Sequence, residues 1–255
     1  QMCIRDRYDT AESKVDAVLD NRIGTITFIE QAGDTDFYIG TEHGLYHLVM
    51  DARTWQPKSC RSVGNVRSLV REIHYHPYTQ KLFVGTLNDG IWVFDLKNPT
   101  DTPPHRMQGD ADITRIVTYN DEEVLIATNG QGVFRMNALS GEVEPYITAN
   151  YNSFNEVNVN NFNDVFVDDQ KRIWLISYPG GITIRDNRYP CYKWIKHSVG
   201  NKSSLINDQV YDILEDSDGD LWFGTGNGVS LYRKSNRTWH NYLSSFDDEP
   251  MDMNH

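Results

Sequence analysis

An all-β fold made of one four-stranded unit repeated about five times is what this sequence predicts, and three observations predict it. The first is a recurring phrase: an apolar run, a small pair, a short polar break, then glycine. It stands at Phe37-Tyr38-Ile39-Gly40-Thr41 with Gly44, at Leu82-Phe83-Val84-Gly85-Thr86 with Gly90, and at Val124-Leu125-Ile126-Ala127-Thr128 with Gly132. It returns at Ile173-Trp174-Leu175-Ile176-Ser177 with Gly181 and at Leu221-Trp222-Phe223-Gly224-Thr225 with Gly228. The second is the period: the small pair begins at 40, 85, 127, 176 and 224, in steps of 45, 42, 49 and 48. Strand-rich periods in the forties belong to radial or stacked repeats. The third is the character of the apolar runs. They are β-branched or aromatic, too short for helices, and do not alternate with polar residues. A strand apolar at consecutive positions is buried on both faces. Sheets stacked face to face around an axis supply that environment, as the blades of a β-propeller do.

Each element of the unit can then be justified in order. Apolar pairs spaced i, i+3 precede every run, at Ile23/Ile26, Val70/Ile73, Ile113/Ile116, Phe162/Val165 and Val210/Ile213. They mark an innermost strand. Between it and the run lie turn-formers, clearest in Asp216-Ser217-Asp218-Gly219-Asp220, where Asp and Gly suit a tight hairpin. The run is the second strand. The glycine closing the next break supplies a left-handed turn residue at little steric cost and opens a third strand. Polar turns such as Lys234-Ser235-Asn236-Arg237 lead to a fourth, outer strand, as at Thr238-Trp239-His240-Asn241-Tyr242 and Tyr192-Lys193-Trp194-Ile195. The segment 11–19 has some helical composition, but its position favours an outer strand.

These marks place blades at about 22–64, 65–110, 111–157, 158–205 and 206–247, with the tail of an earlier blade at 8–21 and the start of another at 248–255. The 255 residues thus read as five full blades plus fragments, a window on a longer array. Residues 1–7 do not follow the pattern. They resemble the translation of a transposase sequencing adapter and are set aside from the fold.

Composition narrows the function. The formal charge is −12, which disfavours phosphate backbones and anionic lipid as partners. No run approaches the roughly 18–20 apolar residues that cross a bilayer. Beyond Cys3, two cysteines remain, Cys60 and Cys191, three repeats apart and poorly placed for a disulfide. No phosphate loop, dinucleotide fingerprint or nucleophile elbow is present. His74-Tyr75-His76 puts two imidazoles on one strand face, but no third ligand is near, and no metal or other cofactor is expected.

The stretch 207–232 carries a more specific phrase. Asn207, Val210, Ile213, Asp216, Gly219, Leu221, Trp222, Gly224, Thr225, Gly228 and Val229 fall on the pattern N-x-V-x-x-I-x-x-D-x-x-G-x-L-W-x-G-T-x-x-G-[VL], and the chain here resembles the two-component regulator propeller repeat. The fourth copy keeps Val165, Asp168, Ile173, Trp174 and Gly181, but has Lys171 for glycine and Ile176-Ser177 for Gly-Thr. The first three copies lose the Asp-x-x-Gly-x-Leu-Trp phrase. Gly40, Thr41, Gly85, Thr86, Thr128, Trp174, Asp216, Gly219, Trp222, Gly224, Thr225 and Gly228 are read as structural repeat positions. The resemblance implies a fragment of a seven-bladed propeller, since seven blades of about 48 residues need on the order of 330, and a non-catalytic periplasmic sensor region of a hybrid two-component histidine kinase. It further implies a poly- or oligosaccharide fragment as ligand, neighbouring propeller and β-sandwich domains in the parent chain, and a homodimer at full length. A propeller enzyme like the streptogramin lyases, or a protein-interaction scaffold, would use the same fold.

Function on such scaffolds is grafted onto loops. Sugar recognition needs aromatic faces for C–H surfaces and amides or carboxylates for hydroxyls. On the face where the innermost strands begin, Asn88, Asp89, Asn129, Gln131, Tyr151, Phe154, Tyr178 and Asn227 have those types and form the expected ligand contacts. Each also fits a solvated turn. Trp92, Trp174, Trp222 and Trp239 sit in strands and are expected to pack blade on blade.

Overall fold

The computed structural model describes residues 6–9, 14–17, 23–98, 105–106, 111–149, 157, 159–178, 180–186 and 192–243. Two compact units divide the chain, Gln1–Thr148 and Ala149–His255. In the first, β1 (Asp6–Asp9) and β2 (Lys14–Ala17) pair antiparallel as a ribbon, so the part of 11–19 that is described is strand.

Three four-stranded antiparallel sheets follow in that unit. The first holds β3 (Ile26–Gln31), β4 (Asp36–Thr41), β5 (Gly44–Met50) and β6 (Pro57–Ser62). The second holds β7 (Val70–His76), β8 (Lys81–Thr86), β9 (Ile91–Asp95) and β10 (His105–Arg106), and the third β11 (Ile113–Thr118), β12 (Glu123–Thr128), β13 (Val133–Asn137) and β14 (Val143–Ile147). The second unit carries a fourth sheet, β15 (Phe162–Val167), β16 (Ile173–Ser177), β17 (Gly181–Arg185) and β18 (Tyr192–Ile195), and a fifth, β19 (Val210–Glu215), β20 (Leu221–Thr225), β21 (Gly228–Arg233) and β22 (Thr238–Leu243). In each sheet the strands lie in chain order. These are propeller blades, and the described residues contain no α-helix.

The i, i+3 pairs have a physical cause that the sequence did not reveal. In a regular strand such a pair points to opposite faces. Here every first strand is bulged between its first and third residues, at Ile26/Phe28, Val70/Glu72, Ile113/Arg115, Phe162/Asp164 and Val210/Asp212. The extra residue shifts the alternation by one, so Val70 and Ile73, for example, enter the same core cluster. The first pair was misplaced by three residues. Ile26, not Ile23, pairs with the small-pair residue Thr41, as Val70 pairs with Thr86. The bulged pair of the first sheet is therefore Ile26/Ile29, and Ile23 precedes the strand.

Consecutive apolar residues serve two cores at once. Leu82 and Val84 of β8 face the first sheet, in a cluster with Tyr38 and Leu45, whereas Phe83 faces the third sheet with Ile113 and Ile126. In the second unit Trp174, Ile176, Leu221 and Phe223 share one cluster between the fourth and fifth sheets. Burying each large side chain contributes about 1.5–3 kcal/mol. Trp174 is 1% exposed and lies against Phe223 and Tyr232 of the next sheet. Trp222 differs from expectation: it is half-buried and stacks at 5.8 Å on Tyr242 of its own sheet.

The small pair is where neighbouring sheets come closest. A Cβ on Gly40 would lie 2.6 Å from Val70, and one on Gly85 2.5 Å from Ile113. Both distances are shorter than any tolerable contact, so the backbone approach requires glycine. The bulge residue reinforces the same seam. Thr27 donates to the Val70 carbonyl at 2.5 Å, and Asn163, at the equivalent position, donates to the Val210 carbonyl at 3.0 Å.

Candidate functional site

In four of the five sheets the end where the first strand begins is built by the small-pair threonine, whose place Ser177 takes in the fourth sheet. The hydroxyl donates to the carbonyl of the closing glycine, Thr41 to Gly44 at 3.1 Å and Thr86, Thr128 and Thr225 to Gly90, Gly132 and Gly228 at 2.8 Å. It also accepts from a turn N–H, that of His43, Gln131 or Asn227. Thr41, Thr86 and Thr128 are fully buried. A buried hydroxyl must be bonded, and here its bonds fix the shape of the loop that any ligand on this end would meet.

On these turns stand the residues the sequence put forward. Asn88 is exposed with a left-handed backbone, φ 64°. Asp89 is half-buried, and its carboxylate accepts from the Trp92 indole at 3.1 Å, a bond that fixes β9 to its turn. Asn129 is exposed and donates from Nδ2 to Asp112 at 3.3 Å. The same Asp112 oxygen accepts from Arg71 at 3.2 Å. The second and third sheets thus join at this end through Arg71, Asp112 and Asn129. Arg71 was missed by sequence reasoning, although it occupies the extra bulge position. Gln131 and Asn227 are exposed. Tyr178, 53% exposed, stands at the end of the fourth sheet, and Asn227 at that of the fifth. Tyr151 and Phe154 lie outside the described residues.

At the opposite end, the Asp-x-x-Gly-x-Leu-Trp phrase proves to be a hairpin lock. Asp216 accepts from the backbone N–H groups of Asp218 and Asp220 at 3.0 and 2.9 Å and from the Trp222 indole at 2.7 Å. These bonds, the indole's first, hold its carboxyl below the usual range. Asp168 does the same with Gln170, Arg172 and Trp174. Gly219 has φ 80°, and Lys171 takes the same left-handed conformation at φ 60° where the pattern expects glycine.

The two imidazoles of β7 are also structural. His74 bonds Thr118 at 2.8 Å, and His76 bonds Thr79 at 2.9 Å and the Asn120 carbonyl at 3.0 Å. Both tie the second sheet to the third. No group of three metal-ligating side chains occurs among the described residues. Cys60 is a free, exposed thiol, and Cys191 lies outside the described residues.

The first unit also holds a groove of about 570 Å³ between its first and second sheets. Tyr38, His47 and Arg61 are directly paired across β4, β5 and β6 and form one wall. The Tyr38 and His47 rings stack at 4.7 Å and 13°, and His47 Nε2 bonds Asp36 at 2.9 Å. Val63, Phe94 and Leu96 form an apolar side, with Asp95 and Asn98 at the rim. Burial, and Asp36 beside it, push the Tyr38 phenol up. The hydroxyl stays protonated and can donate.

Comparison with known proteins adds to this geometry. Residues 204–227 match the sequence model of the two component regulator propeller family. This stretch is a two component regulator propeller repeat. The matched residues contain Thr225, Trp222 and the Asp216 lock. Among solved structures the chain is similar to the extracellular domain of BT3049 from B. thetaiotaomicron, described as a hybrid two component system. The TM-score is 0.54 and the identity 20%, over 94% of this chain and 36% of that one. The extracellular domain of BT4673 from the same organism, described as a one component system, matches at TM-score 0.54 and 14% identity, over 93% of this chain and 38% of that one. At such identities the likeness is one of fold, and the chain spans little more than a third of either domain. No curated protein sequence is significantly similar to the chain.

Proposed function

We propose that the chain is a non-catalytic sensor propeller, part of the periplasmic region of a membrane-bound hybrid two-component histidine kinase, and that it reads a poly- or oligosaccharide fragment. The observation that carries the reading is the two component regulator propeller repeat at 204–227. That the similar structures are extracellular domains of signalling systems supports the location. Neighbouring propeller and β-sandwich domains and a second copy of the parent chain are the partners this reading requires. Ligand would act by favouring one packing of these partners over another, and the signal can be no larger than the difference in its affinity for the two. Asn88, Asp89, Asn129, Gln131, Tyr151, Phe154, Tyr178 and Asn227 are the first contacts to test. Titration calorimetry of the chain against a panel of plant and host oligosaccharides should yield at least one ligand. The double variant Asn88→Ala, Asn129→Ala should bind it at least about tenfold more weakly, the loss of two hydrogen bonds. A panel without any binder would overturn the reading.

A further inference from the structure

We infer that the groove between the first and second sheets is a sugar site, one that seats a single pyranose ring between the Phe94 side and the Tyr38–His47–Arg61 wall. The inference rests on the sugar reading above but moves contact to residues that share none of the turn-end set.

The first argument is a departure from the repeat. The wall is one register row, and the same row exists in every sheet. It holds Phe83 and Val93 in the second sheet, Leu125 and Arg135 in the third, Trp174 and Ile184 in the fourth, and Trp222 and Leu231 in the fifth. In the first it holds Tyr38 and His47, continued by Arg61 on β6. Packing between blades asks for apolar side chains here, and three sheets supply them at both positions. The third sheet's Arg135 is neutralised by Glu123 at 3.5 Å and by Glu144. Arg61 is no departure in itself, because the outer strand is polar at this row in other sheets too, with Glu144, Lys193 and His240, but its exposed guanidinium has no ion pair among the described residues. Polar groups at the Tyr38 and His47 positions break the row's own rule, and such places are commonly functional.

The second argument is an unspent donor. Tyr38 is 8% exposed, and its hydroxyl has no hydrogen-bond partner among the described residues. The hydroxyl is not closed off from solvent, so it opens on the groove, where an entering ligand can take the hydrogen bond that water otherwise takes.

The third argument is chemical complementarity. The volume lies in the range of about 300–1,000 Å³ typical of ligand sites. The donors lining the groove include the Tyr38 hydroxyl and the Arg61 guanidinium. Carboxylate acceptors line it too, Asp36 on the Tyr38 strand and Asp95 beside the partly apolar Phe94. A sugar ring presents that mixture, with hydroxyls that both donate and accept and a C–H face that packs on an aromatic. With one free cation against two carboxylates, an anionic ligand is disfavoured and a neutral ring is matched.

The test is calorimetry of the full chain with the methyl pyranosides of glucose, galactose, mannose and xylose, and with sorbitol as an open-chain polyol. At least one pyranoside should bind and sorbitol should not. Arg61→Ala should weaken that binding by about tenfold or more and Tyr38→Phe by about three- to tenfold, the loss of a charged and a neutral hydrogen bond. Both variants should keep the wild-type melting curve, because Arg61 is exposed and Phe preserves the ring. Leu139→Ser, on an exposed turn of the third sheet that belongs neither to the groove nor to the turn-end set, should leave pyranoside affinity unchanged. The inference fails if no pyranoside binds, if sorbitol binds equally, or if affinity survives both groove substitutions. Loss of binding in the turn-end variants alone would sink the groove and leave the sensor reading standing.

Discussion

His74 shows how much one side chain in a seam between blades can matter. Burial, then the neighbouring His76 and Arg115, push its imidazole down to about 4 from 6.5. Its ring bonds Thr118 of the next sheet in the neutral form. Because the folded pKa is depressed, the folded state disfavours the protonated ring. The contribution is therefore fully present above pH 6.5 and is lost as the pH falls through that value towards 4. At about 1.4 kcal/mol per pH unit the interval is worth roughly 3 kcal/mol. Phe166 occupies the equivalent position in the fourth sheet, so His74→Phe should fold. Chemical denaturation at pH 7 and pH 4.5 should show the wild type losing more stability than His74→Phe, by on the order of 2–3 kcal/mol. Equal losses would mean that this imidazole is not shielded from water in the folded chain. Nothing in the triplet His74-Tyr75-His76 announced that role. Its partners, Thr118 and Asn120, lie more than forty residues away.

Within one sheet the bulge of the first strand and the glycine of the second act as a pair. The bulge turns an extra side chain toward the next sheet, and the glycine lets that sheet's first strand come close. Gly85 and Gly224 share the small-pair position but not the surroundings. A Cβ on Gly85 would meet Ile113 at 2.5 Å, whereas one on Gly224 would meet only Asp212, at 3.9 Å. Neither glycine has a left-handed backbone. Gly85→Ala should therefore cost about 1–3 kcal/mol, the range for overpacking, while Gly224→Ala should be neutral or gain up to about 1 kcal/mol by restricting the unfolded chain. Denaturant midpoints compare them directly, and equal effects would contradict the close-approach reading. The recurrence of the small pair was legible in the sequence because backbone contact leaves glycine few substitutes. The bulge was visible only as an unexplained i, i+3 spacing. The Tyr38–His47–Arg61 wall was not legible at all, since the row depends on a register through two hairpins and Arg61 follows Tyr38 by more than twenty residues.

At the scale of the whole chain, the period in the forties was enough to give five four-stranded sheets, because each repeat must bury both faces of its second strand. What the period cannot carry is charge, which is spread over turns and outer strands without repeating. The chain holds 36 acidic residues against 24 Lys and Arg, a net charge of −12. Two electrostatic effects then oppose each other. Ion pairs bridge neighbouring sheets, Arg71 with Asp112 at 3.2 Å, Arg115 with Glu72 at 3.7 Å and Lys234 with Asp169 at 3.7 Å. Salt weakens them, but partly exposed pairs contribute only about 0–1 kcal/mol each. The acidic excess repels itself across the compact fold, and unfolding relieves that repulsion. The Debye length falls from about 30 Å at 0.01 M to about 8 Å at 0.15 M ionic strength, so salt removes the long-range repulsion before it removes contacts of 3–4 Å. The repulsion should win. Raising sodium chloride from roughly 10 to 150 mM should raise the melting midpoint by a few degrees, as expected for about 1 kcal/mol in a chain of this size. A midpoint that falls instead would show that the seams between blades depend on their ion pairs more than on the apolar cores.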